Sequence, residues 1–150
     1  GFYPLPAEGD EIDQPISDAV GALLDGHIVL SRRLAQAYHY PAVDVLASLS
    51  RLATKVTGKD EQRAAGRLRR LIAAYTESED LINVGAYEEG TNAEIDEAIE
   101  KIDDIWSFLS QDVEERALPS DTIRRLSHLS GVEVQIPKEY AEESESGEGE

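Results

Sequence analysis

Guanidinium groups are the reactive chemistry that this sequence concentrates. Residues 32–70 hold nine of its fourteen basic residues, Arg32, Arg33, Arg51, Lys55, Lys59, Arg63, Arg67, Arg69 and Arg70. The acids in that stretch are Asp44, Asp60 and Glu61, so it carries +6. The whole chain carries −17, which leaves −23 for the remainder. Arginine is permanently charged and forked, a shape that suits planar anions. Read alone, the run 63–70 is a solvated helix face and Arg51 a surface arginine, since charged residues usually face water. Tyr40, read alone, is a core tyrosine before a turn proline. His27, His39 and His128 are too scattered to suggest a metal site. Cysteine is absent, which excludes disulfides, thiolate metal sites and cysteine nucleophiles.

Other machinery is missing as well. A phosphate-binding G-x-x-x-x-G-K-[ST] loop has its nearest counterpart at Gly58-Lys59, but Asp60 follows and Ala53 stands where the first glycine belongs. No G-x-S-x-G or H-E-x-x-H string occurs. The acidic balance disfavours a free-standing nucleic-acid binder or a partner for anionic membrane surfaces. No apolar run approaches the length that spans a bilayer. The 150 residues suffice for one domain with a real core. Methionine is absent even at position 1, so Gly1 suggests a processed chain or a piece of a longer one.

The elements that must position these residues change character along the chain. Residues 2–8 are apolar but hold Pro4 and Pro6, which reads as an edge strand or an irregular extended segment. Ile16, Val20, Leu23 and Leu24 have helical spacing. His27 to Leu30 reads as a buried strand. Ser31 reads as the cap of a short helix through Tyr38, which Pro41 ends. Val43 to Val56 is mixed. From Asp60 onward the pattern is helical. One stripe is Leu68, Leu71, Ile72 and Tyr75, and Gly85 and Gly90 mark a loop. Thr91 to Glu94 reads as a capping box. It opens a stripe of Ile95, Ile99, Ile102, Trp106 and Leu109, with Trp106 in the core. Pro119-Ser120-Asp121 opens a last helix carrying Ile123, Leu126 and Leu129. The tail holds six glutamates and no base from Glu139 to Glu150, a composition that predicts disorder.

Five separated strings carry a family resemblance. They are Asp25-Gly26-His27-Ile28-Val29-Leu30-Ser31-Arg32; His39-Tyr40-Pro41-Ala42-Val43-Asp44-Val45-Leu46 with Ser48-Leu49-Ser50-Arg51-Leu52; Asp80-Leu81-Ile82-Asn83-Val84-Gly85-Ala86-Tyr87 with Gly90; Ile95-Asp96-Glu97-Ala98-Ile99; and Phe108-Leu109-Ser110-Gln111. In this order they resemble the C-terminal third of the flagellar and type III secretion export ATPases, relatives of the rotary ATP synthase catalytic subunits. The resemblance runs from about Phe2 to Gln111. It implies a fold that is α/β and then all-α. The end of a RecA-like nucleotide-binding domain would occupy 1–57 and a C-terminal helical domain 58–135, while composition, not the resemblance, makes 136–150 a disordered acidic tail.

The resemblance also implies roles. Arg51 matches the arginine finger that reaches across a subunit interface to a neighbour's γ-phosphate. Tyr40 matches the aromatic that stacks on adenine in its own subunit's site. The cofactors implied are ATP and Mg²⁺, with the phosphate-binding loop, the Mg²⁺-binding acid and the catalytic glutamate upstream of residue 1 and no metal ligand here. Where synthases place further adenine-pocket aromatics, this chain reads Asp112-Val113-Glu114-Glu115-Arg116-Ala117-Leu118-Pro119, with no aromatic. The partners implied are a homohexamer, export chaperone–substrate complexes and a central stalk protein, with no nucleic acid. The location implied is cytoplasmic, peripheral to a membrane export apparatus, and the segment alone would be inactive. Two alternatives remain at this point: a non-catalytic helical interaction module, and part of a rotary ATP synthase or vacuolar-type ATPase subunit.

Overall fold

The computed structural model describes residues 25–141, and it divides the chain into two units, 1–55 and 56–150. The segments 2–8 and 16–24 read above lie outside the described residues.

In the first unit, β1 (Gly26–Leu30) and β2 (Val43–Ser50) form an antiparallel ribbon. Gly26 is required at its start. A Cβ there would lie 2.7 Å from the Leu49 carbonyl oxygen, closer than real contacts allow. The strand at 27–30 forms as the sequence predicts, but it is not buried: Ile28 is 68% exposed and Leu30 72%. Among the described residues, the sheet offers only β2 as a neighbour. A β-branched run therefore finds a ladder without a covering layer. Between the strands lies α1 (Arg32–Gln36), with the Ser31 hydroxyl accepting from the Leu34 N–H. It stops short of the expected Tyr38, which takes a left-handed φ of 61°. The mixed stretch after Pro41 resolves into β2 and a one-turn helix, α2 (Ala53–Val56).

The second unit is helical. α3 (Lys59–Asn83) is about 37 Å long at 1.5 Å per residue. It packs against both α4 (Ala93–Leu109) and α5 (Pro119–Ser130). Ala64, Leu68, Leu71 and Ile72 meet Ala98, Ile102 and Ile105 of α4 and Ile123 and Leu129 of α5 as the buried apolar set. Burying a side chain the size of Leu or Ile contributes roughly 1.5–3 kcal/mol. The α4 stripe is rotated from the one predicted. Ala98 and Ile105 are fully buried, whereas Ile99 is 36% exposed and Trp106 only half-buried. Tyr75 is likewise half-buried.

The cap of α4 falls one residue later than the expected capping box. Asn92 Oδ1 accepts from the N–H groups of Glu94 and Ile95 at 2.9 and 3.3 Å. Thr91 instead donates its hydroxyl to the Glu88 carbonyl at 2.7 Å. Both residue types can cap, and Asn does so slightly better than Thr. α5 begins with Pro119 and ends at Gly131, whose φ of 66° favours glycine. The predicted tail also needs correction at its start. Residues 136–141 include a short helix, α6 (Lys138–Ala141), which packs on α5. Tyr140 supplies it with a half-buried ring, which a purely acidic stretch would lack.

Candidate functional site

The first unit presents both residues of interest on connections flanking β2. Tyr40 precedes the strand and is 49% exposed, with the Tyr38 ring edge-on at 5.7 Å and 87°. Arg51 follows the strand directly and is exposed, and its peptide N–H donates to the Asp25 carbonyl at 2.8 Å. The structure therefore separates the two, placing one before β2 and one after it.

β2 is not a plain strand. Asp44 Oδ1 accepts from the N–H groups of Leu46 and Ala47, at 3.0 and 2.9 Å. The Ser48 hydroxyl donates to the Asp44 carbonyl at 2.6 Å and accepts from the Val29 N–H at 3.0 Å. His27 lies 3.2 Å from the Ala47 carbonyl. A carbonyl only accepts, so Nε2 carries the proton in that bond. These contacts hold a bulge, with register shifting between His27 and Val29. Asp25 and His27, which open the first of the five strings, thus serve the geometry of the ribbon. Arg32 is the exposed first residue of α1. Sequence reasoning passed over Asp44 and Ser48. Their signal was available: Asp and Ser side chains readily bond backbone groups two to four residues away.

The remaining strings of the sequence organise the helical unit. The Tyr87 hydroxyl donates to Asp96 Oδ1 at 2.7 Å, and the Gly90 N–H donates to both Asp96 oxygens at 3.2 and 3.0 Å. Partial burial, then the Asp96 carboxylate, raises the Tyr87 phenol above its ordinary value. Glu97 and Lys101 together tie three helices. Both of its oxygens accept from Arg67 of α3 at 2.9 Å, and one accepts from Lys101 at 2.9 Å. Lys101 also donates to the Leu129 carbonyl of α5 at 3.1 Å. Lys101 first, then Arg67, holds the Glu97 carboxyl below its ordinary value. In the arginine run, Arg63, Arg69 and Arg70 are exposed as expected, while Arg67 is half-buried in this tie.

Tyr40 and Arg51 are both exposed residues; in general an aromatic ring can stack on a base and an arginine can meet a phosphate. Among the described residues, no cluster of His, Asp or Glu could hold a metal ion. No described helix is long and apolar enough to cross a membrane.

Residues 1–50 match the model for the nucleotide-binding domain of the ATP synthase alpha/beta family. Residues 57–128 match the T3SS EscN ATPase C-terminal domain. The class is thus an ATP-synthase-like nucleotide-binding domain followed by a helical C-terminal domain. The chain is 50% identical to the flagellum-specific ATP synthase of Treponema pallidum (strain Nichols), over 91% of this chain and 30% of that protein. It is also similar to the structure of the assembled ATPase EscN from the enteropathogenic E. coli type III secretion system. There the TM-score is 0.78 at 38% identity, covering 82% of this chain and 30% of that one. EscN in complex with its central stalk EscO gives a TM-score of 0.74 at 38% identity, covering 78% and 29%. The chain belongs to the flagellar and type III secretion ATPase family and spans about 30% of the length of these relatives.

Proposed function

We propose that this chain is the C-terminal part of a homohexameric ATPase that couples ATP hydrolysis to protein export. Within it, Arg51 is the finger supplied in trans, and Tyr40 stacks on the adenine of its own subunit's nucleotide. The single observation that carries this reading is the hairpin. It fixes the peptide of Arg51 on Asp25 and leaves the residue exposed at the end of β2. Phosphoryl transfer spreads charge over equatorial oxygens, and a guanidinium delivered from outside can offset it. The separation of Tyr40 from Arg51 along β2 suits service to two different nucleotides. Base–aromatic stacking of the kind assigned to Tyr40 is worth about 1–3 kcal/mol.

ATP and Mg²⁺ would be held mainly by residues outside this segment, so the segment alone is expected to be inactive. The nucleotide-binding part ends near residue 57, the helical domain extends to about 141, and an acidic tail follows. The partners proposed are a central stalk protein and export chaperone–substrate complexes, and the location is cytoplasmic, peripheral to a membrane export apparatus. The test is made in the complete protein. Arg51→Ala should lower kcat by roughly 10³–10⁵-fold while sparing ATP binding. Retained hydrolysis would remove the finger assignment.

A further inference from the structure

Val43 and Asp44 face Leu30 and Val29 across the ribbon. Continued without interruption, that pairing would set Gly26 opposite Ala47 and Asp25 opposite Ser48. Gly26 instead faces Ser50, three residues further along β2, and Arg51 bonds to Asp25. At about 3.3 Å per residue, the difference moves the emergence of Arg51 by roughly 10 Å. An odd shift also exchanges the faces of the ribbon on which later side chains lie. The bulge therefore decides both how far along the hairpin Arg51 appears and on which side.

The bulge has its own clamp. The Asp44 carboxylate gathers the Leu46 and Ala47 N–H groups. The Ser48 hydroxyl bridges the Asp44 carbonyl and the Val29 N–H of the opposite strand. We propose that Asp44 and Ser48 are positioning residues for Arg51, setting the register from which its guanidinium reaches a phosphoryl group. This rests on the finger reading of Arg51. A misplacement of about 1 Å by a change away from the chemistry can cost on the order of 10²-fold in rate. Loss of the clamp should therefore appear in turnover rather than in nucleotide affinity.

The experiment uses the complete, assembled ATPase with ATP, comparing Asp44→Ala, Asp44→Asn, Ser48→Ala, Arg51→Ala and the double variant Ser48→Ala/Arg51→Ala. Asp44→Ala and Ser48→Ala should lower kcat by about 10–100-fold with KM for ATP within about 3-fold. Asp44→Asn keeps the accepting Oδ1 and should stay within about 3-fold of the parent. The double variant should be no slower than Arg51→Ala alone, because residues acting through one group are not additive. An inactive Arg51→Ala beside unchanged Asp44→Ala and Ser48→Ala enzymes overturns the positioning role alone. A double variant slower than Arg51→Ala also overturns it. An active Arg51→Ala enzyme overturns the finger reading and this one with it. If Asp44→Ala does not fold, Ser48→Ala decides. If neither folds, the clamp is a folding element and the positioning role is overturned.

Discussion

Among the described residues, nine apolar side chains are buried in the helical unit and none in the hairpin unit. The two are held together differently. α3, α4 and α5 share a core and the Arg67–Glu97–Lys101 tie. The hairpin relies on backbone pairing and on side chains that bond backbone. Polar contacts of this kind are directional, and each contributes only about 0.5–1.5 kcal/mol net. They fix where a residue sits more than they hold the unit together. Among the described residues, the candidate catalytic group thus sits in the unit that shows no buried side chain.

Substitutions in the complete protein can break or sharpen this contrast. After the Arg51 effect, the largest expected is from Ile105→Ala, fully buried in α4. It should destabilise the helical unit by about 2–5 kcal/mol in denaturant unfolding, with little change in ATP turnover by the surviving folded protein. Gly26→Ala should show the reverse pattern. Its Cβ would crowd the Leu49 carbonyl oxygen, so the ribbon must shift, at a cost of about 1–3 kcal/mol. Hydrogen exchange should then quicken in β1 and β2 and stay unchanged in α3. Asn92→Ala should cost about 0.5–2 kcal/mol through its lost cap, with faster exchange at Glu94 and Ile95.

The smallest effect is that of pH. Glu97 has a lowered pKa in the fold, so its stabilisation is fully present above its ordinary value of 4.5. It is lost as pH falls through the lower, folded value. Glu97→Gln should flatten the acid limb of the stability curve below that point. An unchanged limb would detach Glu97 from the tie.

The same contrast explains what the sequence could reveal. Helices with a core announce themselves through apolar spacing, so Leu68, Leu71, Ile72, Ile102, Ile123 and Leu129 were readable as a buried face. The α4 stripe slipped because Ile95, Ile99, Ile102, Trp106 and Leu109 and the set around Ala98 and Ile105 share a helical period and differ only in rotation. Asn92 and Thr91 are adjacent capping residues, and spacing alone does not choose between them. The ribbon was harder. His27 to Leu30 signals a strand, but its exposure depends on which layers cover it. The Asp44–Ser48 bulge breaks the alternation that a strand is recognised by, so 43–56 looked mixed. Arg51 and Tyr40 could be singled out only through family resemblance, because an exposed arginine and a tyrosine before proline have no chemistry legible on their own.

The central claim is that Arg51 acts on a neighbouring subunit's nucleotide, and mixed assemblies test it most directly. Subunits carrying Arg51→Ala would be combined with subunits disabled in their own phosphate-binding loop. Each type is expected to be inactive alone. At an interface where the Arg51→Ala subunit supplies the nucleotide site and the other supplies Arg51, hydrolysis should return. No recovery at any mixing ratio, with both subunits shown to co-assemble, would contradict action in trans.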